Sequence, residues 1–133
     1  MIPASELRRT ARARLADAKA LFQSRRYGAA AYICGYAVEI ALKARICRTL
    51  HWGDFPSTRG EFEKYRTLQT HDLEVLLRLS GREETVRRKA VNEWSFFLKA
   101  WNPELRYGSV GAMSRQHARD MIDSARTLIG VLV

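Results

Sequence analysis

Leu7, Ala11, Leu15, Ala18 and Phe22 recur at spacings of four, four, three and four, which puts them on one helical face and predicts an amphipathic helix over about residues 5–24. Ser5 is its expected N-cap. After Tyr27–Gly28, a second helix is predicted over about 28–50, apolar on nearly every side, with Ala29, Ala30, Ala31 and Gly35 offering small surfaces for close helix contact. It should be the buried centre of the fold. Residues 51–69, HWGDFPSTRGEFEKYRTLQ, mix Gly, Pro, Ser and charge and predict a long connection with at most a short helical turn in GEFEKY. A short helix then runs from Thr70 or His71 to Leu79, with Thr70 as N-cap and Gly81 as its stop. A fourth starts near Glu83, whose charge suits the positive end of a helix dipole, and runs through Val86, Ala90, Trp94 and Phe97 to about Ala100, before Pro103. The loop WNPELRYGSVGAM leads to a last helix capped by Ser114, with Ala118, Met121, Ile122, Ala125, Leu128, Ile129 and Leu132 as its seam. No segment has the alternation of a strand. The expected architecture is all-α, an up-and-down bundle of four long helices plus one short helix, in a single domain over residues 1–133.

Charge adds a direction to this frame. The formal net charge is +9, and residues 1–50 carry ten Lys and Arg against three Asp and Glu, whereas residues 51–133 carry thirteen against eleven. Arg8, Arg12, Lys19 and Arg26 fall on a stripe beside the first helix's apolar seam. Such a surface draws phosphate polyanions; it is also what a solvated basic face or a contact for an acidic protein looks like. The N-terminus has no apolar segment behind its arginines, and no apolar run reaches transmembrane length, so a cytoplasmic protein without membrane association is expected. Cys34 and Cys47 lie thirteen residues apart on one predicted helix, roughly 20 Å along its axis, and cannot pair within it.

Candidate chemistry is sparse. No phosphate-binding glycine loop occurs, and no Cys and His spacing matches a zinc site, so neither a metal nor another cofactor is expected. The anomaly is Glu39 inside AYICGYAVEIALKARIC, since a carboxylate in an apolar helix is costly unless it is paired or reaches water. One reading is an i,i+4 ion pair with Lys43 at a bundle edge. The other is that Glu39 lines a polar cleft, balanced by Lys43 or Arg106, and orients an Arg or His from a loop or a second subunit. Trp94, Phe97 and Trp101 recur at spacings of three and four, which favours core or dimer packing over base stacking. Tyr107, in a loop beside Arg106, is the better exposed candidate for touching a ligand.

AYICGYAVEIALKA resembles the second-helix signature of HEPN domains (higher eukaryotes and prokaryotes nucleotide-binding), a Gly-Tyr-Ala-Val-Glu-x-x-Leu-Lys-Ala run. THDLEVLLRLSG, residues 70–81, resembles that family's His-containing start to a short helix, and WNPELRY, residues 101–107, its loop before the final helix. The resemblance covers nearly the whole chain in order. It implies a metal-independent ribonuclease, often the toxin of a toxin–antitoxin pair, homodimeric, with a minimal nucleotidyltransferase as partner. It also implies a catalytic Arg-x4–6-His motif, in which Arg grips the phosphate and His moves a proton.

Arg106 stands where the resemblance puts the catalytic Arg, but Val110 to Met113 include no His, and the next one is His117. An Arg-x4-His string does run from Arg66 to His71, far from the family's position for it. The expected site is therefore an atypical one of Arg106, His71 and Glu39, with Arg8, Arg12, Lys19, Arg26 and Tyr107 as nucleic-acid contacts. The alternative is a non-catalytic module that binds RNA or nucleotide, or docks the nucleotidyltransferase.

Overall fold

A computed structural model describes residues 1–133. The predicted seam of the first helix is buried along α1 (Ala4–Gln23), and α1 packs lengthwise on α2 (Tyr27–Leu50). On α2, Ala30, Ala31, Cys34, Ala37, Val38, Ala41, Leu42 and Ile46 are fully buried, because the helix is covered by α1, α3 (Leu73–Ser80) and α6 (Arg115–Leu132). Helix α6 presents its predicted seam to this centre, and the Ser114 hydroxyl caps it by accepting the His117 N–H at 3.1 Å. One continuous core joins all of these helices. The all-α bundle is the observed fold.

Local details differ from the sequence expectation in four places. The first helix begins one residue before Ser5, with Pro3 at the N-cap position and no side-chain cap. The short helix is capped by Asp72, not Thr70. The Asp72 carboxylate accepts the Glu74 and Val75 N–H groups, while the Thr70 hydroxyl accepts the Asp72 N–H at 3.0 Å and shapes the turn before it. Gly81 closes that helix at φ 72°, the left-handed geometry that glycine adopts freely. The fourth helix is two helices, α4 (Glu83–Lys89) and α5 (Val91–Ala100), separated by Ala90 at φ −149°. Neither Gly nor Pro marks this break. A single small, buried residue makes it, so packing rather than a breaker sets the bend. Finally, a two-residue antiparallel pairing joins β1 (Ile2–Pro3) to β2 (Asp54–Phe55), where no strand was expected. It pins the start of the chain to the long connection and buries Phe55.

Both cysteines are free and buried. Burial pushes the Cys34 thiol up to about 12 and also raises that of Cys47. A thiol is attacked as thiolate, and at pH 8 a group of pKa near 12 is ionised in only about one molecule in 10⁴. Ellman's reagent at pH 8 is therefore expected to leave Cys34 untouched in the native protein and to titrate both thiols in denaturant. Prompt native reaction of two thiols would contradict this packing.

Candidate functional site

Tyr32, Tyr36, Glu39 and Lys43 are spaced four, three and four, so they form a polar stripe along one face of the otherwise apolar α2. The Tyr32 and Tyr36 hydroxyls are hydrogen-bonded to each other at 2.8 Å, and their rings meet edge to face. Glu39 is only 3% exposed. Its two oxygens are nevertheless both occupied: Lys43 Nζ donates to Oε2 at 3.2 Å, and His71 Nδ1 donates to Oε1 at 2.7 Å. Lys43 in turn sits over the ring of Phe55, 5.7 Å from its centroid.

His71 reaches Glu39 because the turn held by Thr70 and Asp72 leads into α3, which packs against α2. Its side chain remains 61% exposed. A carboxylate can only accept, so the proton of this bond belongs to Nδ1, which leaves the Nε2 lone pair of the neutral ring free. The pair thus fixes both orientation and tautomer, and points a base at solvent from an anchor buried in the core.

Arg106 lies in a 3-10 turn, Pro103–Tyr107, which is started by Pro103 and by the Asn102 side chain accepting the Glu104 N–H at 2.9 Å. The guanidinium stands 4.8 Å from the centroid of the Tyr107 ring. The Tyr32 hydroxyl, and after it that of Tyr107, hold its pKa above the ordinary arginine value. The Tyr36 phenol is also raised, first by its bond with Tyr32, then by burial; Glu39 adds to the rise and Arg106 opposes it. Tyr36 therefore feels the charge at both ends of the stripe. Trp101 fixes the Arg106 turn to the helix, since its indole N–H donates to the Tyr32 carbonyl at 3.1 Å and its ring lies directly on Gly35. Beside this contact a groove of about 440 Å³ is lined by His71, Asp72, Leu98, Trp101 and Asn102.

Glu39 and His71, named from sequence, are thus in direct contact, while Arg106 is bonded to neither of them. Of the two cations expected to balance Glu39, Lys43 is the one that meets it, and His71 in place of Arg106 takes the second oxygen. Tyr32 and Tyr36 were not singled out, although their four-three-four spacing with Glu39 and Lys43 is readable. His117 does not join Glu39. It packs 5.6 Å from Phe96 and lines a separate pocket of about 430 Å³ with Gly28, Leu105 and Gly108. Along the basic stripe, Arg8 is half-buried and bears on the Cys47 thiol, while Lys19 lies in a groove between α1 and α6. Arg12 and Arg26 are exposed, and Tyr107 is 71% exposed. No three His, Cys, Asp or Glu side chains are grouped closely enough to hold a metal ion. No helix is long and apolar enough to cross a membrane.

An all-helical bundle whose most buried helix carries the polar residues of the site, met by a histidine and an arginine from two connecting segments, is a distinctive class of small domain. The chain belongs to the HEPN domain family, whose model matches residues 4–133. Membership makes it a nucleotide-binding or ribonuclease-type module. Neither a curated protein nor a solved structure matches the chain.

Proposed function

We propose that the protein is a metal-independent endoribonuclease with an atypical Arg/His site, acting in a toxin–antitoxin or related RNA-directed system in the cytoplasm. The observation that carries this is the 2.7 Å bond from His71 Nδ1 to the buried Glu39, which supplies the oriented base that the segment after Arg106 lacks. His71 Nε2 takes the proton of an RNA 2′-hydroxyl, the 2′-oxygen bonds to the adjacent phosphorus, and the bond from phosphorus to the 5′-oxygen breaks. The leaving oxygen takes its proton from solvent. Arg106 holds the phosphate oxygens, where charge gathers in the transition state. Tyr32 and Glu39 stand seven residues apart on α2, about 10 Å along its axis, so a homodimer that sets one protomer's Arg106 towards its partner's site is the expected assembly. A minimal nucleotidyltransferase is its expected partner.

The test is RNA cleavage by purified protein in EDTA, with 2′,3′-cyclic phosphate and 5′-hydroxyl ends on the products. Glu39→Gln keeps the shape but gives His71 an amide in place of a carboxylate. It is expected to lower kcat at least tenfold with KM nearly unchanged. An unaltered kcat would remove Glu39 as the positioning residue.

The second reading, a non-cleaving module that binds RNA or nucleotide, is favoured by the sequence after Arg106, where Val110 to Met113 offer no histidine for the Arg-x4–6-His motif. Binding without cleavage at any protein concentration would select it.

A further inference from the structure

Cations gather where α1 hands over to α2 and α6 begins. Lys19 from α1 and Arg119 and Arg126 from α6 line a groove of about 330 Å³, with Phe22 and Ile122 between them. The guanidiniums of Arg115 and Arg119 both lie over the Phe22 ring, 5.4 and 5.5 Å from its centroid. Arg25 and Arg26 occupy the α1–α2 turn at the same end. None of Lys19, Arg25, Arg26, Arg115 or Arg119 takes part in an ion pair. The groove's carboxylate, Asp123, is taken by Arg126 at 3.4 Å, and neighbouring Asp120 accepts from Gln116 at 2.8 Å.

Uncompensated like charges repel, so their collection at one place demands a role that offsets the repulsion. The contact with Phe22 holds two guanidiniums beside one ring while leaving their N–H groups without a carboxylate partner, so they are free to grip phosphate oxygens. The positive end of the 18-residue α6 adds to the same field. A second pocket, lined by Gly28, Leu105, Gly108 and His117, touches the turn that carries Arg106 on one side and the first turns of α6 on the other.

We propose that the α1–α6 groove is a docking track for single-stranded RNA, in which Lys19, Arg115 and Arg119 take backbone phosphates of a strand that continues past Gly28 and His117 to Arg106. The track rests on the RNA-directed reading of the site but not on cleavage. It predicts that affinity grows with strand length and falls steeply with salt.

The experiment compares wild type with the triple variant Lys19→Gln, Arg115→Gln, Arg119→Gln, all three residues being exposed, with a thermal melt to confirm equal folding. Binding of a 20-nucleotide single-stranded 2′-O-methyl RNA, which lacks the attacking hydroxyl, is measured by anisotropy across a KCl series. The triple variant is expected to bind at least tenfold more weakly at low salt, and its plot of log affinity against log salt is expected to be shallower by about 2, at roughly 0.7 per phosphate contact. Equal affinity and equal slope would overturn the track, as would a wild type that binds the 20-mer no better than a dinucleotide. Loss of an acidic protein partner with RNA binding intact would overturn it in favour of a protein-docking face. His71→Ala separates the two ideas: if RNA binding shows the groove's salt slope but no variant or wild type cleaves, the ribonuclease reading falls and the track stands.

Discussion

Replacing His71 by alanine is expected to lower RNA cleavage in EDTA by ~10²–10⁴-fold, the usual worth of a positioned proton-transfer group. The expectation follows from where the ring is held. Its Nδ1 bond goes to a carboxylate that is itself fixed by Lys43, so Nε2 has little orientational freedom left to lose on reaching the transition state. Arg106→Ala should fall as far, because the proposed reaction has its guanidinium hold the phosphate, and Arg106→Lys should recover only part of the loss since an ammonium cannot bind two oxygens in one plane. His117→Ala is the informative control. Its ring packs on Phe96 in the neighbouring pocket and should leave kcat unchanged. A result in which His117→Ala abolishes cleavage and His71→Ala does not would move the chemistry to the pocket beside Leu105 and Gly108.

The largest effect on stability is expected from Gly35→Ala. A Cβ there would sit inside the indole of Trp101, so the ring must leave its seat. Overpacking alone costs about 1–3 kcal/mol, and displacement also removes the indole N–H bond to the Tyr32 carbonyl, worth about 1 kcal/mol more. A loss of ~3 kcal/mol should lower Tm by roughly 10 °C in a domain of this size. Trp101 is 4% exposed in the native protein, so its release should also red-shift the tryptophan emission. Because Trp101 is two residues from Pro103, which starts the Arg106 turn, the same variant should lose activity below its own melting temperature. A variant as stable and as active as wild type would show that the close approach of α2 and Trp101 is not required.

Helices α1 and α6 were legible in the sequence because their signals are local. Each has an apolar seam at helical period, and the Ser114 hydroxyl marks the start of α6 just as the left-handed Gly81 marks the end of α3. The Ala90 bend was not legible, since alanine is the best helix former and Val86, Ala90, Phe97 and Trp101 keep one face through the break. The pairing of Ile2 with Phe55 was illegible for another reason: two residues are too few to show alternation, and the partners are 53 positions apart. The site divides in the same way. A lone carboxylate in an apolar helix announced Glu39, but only the path of the chain could show that the residue 32 positions later, His71, would meet it. Arg106 was found through resemblance; no spacing in this chain would have selected it from the other arginines.

The polar stripe and the core share one helix, and this ties chemistry to architecture in sequence evolution. Inserting or deleting a single residue between Tyr36 and Glu39 would rotate everything beyond it by about 100°, carrying Glu39 and Lys43 off the face that His71 meets while turning Val38, Ala41 and Leu42 out of the core. The 51–69 connection can change length between its buried anchors Phe55, Phe62 and Leu68, but the interval from Tyr32 to Lys43 has to be inherited whole. Descendants of this chain should therefore vary by substitution along α2 and by insertion elsewhere, and the count of residues between its tyrosines and its glutamate should be more durable than any one of the arginines around them.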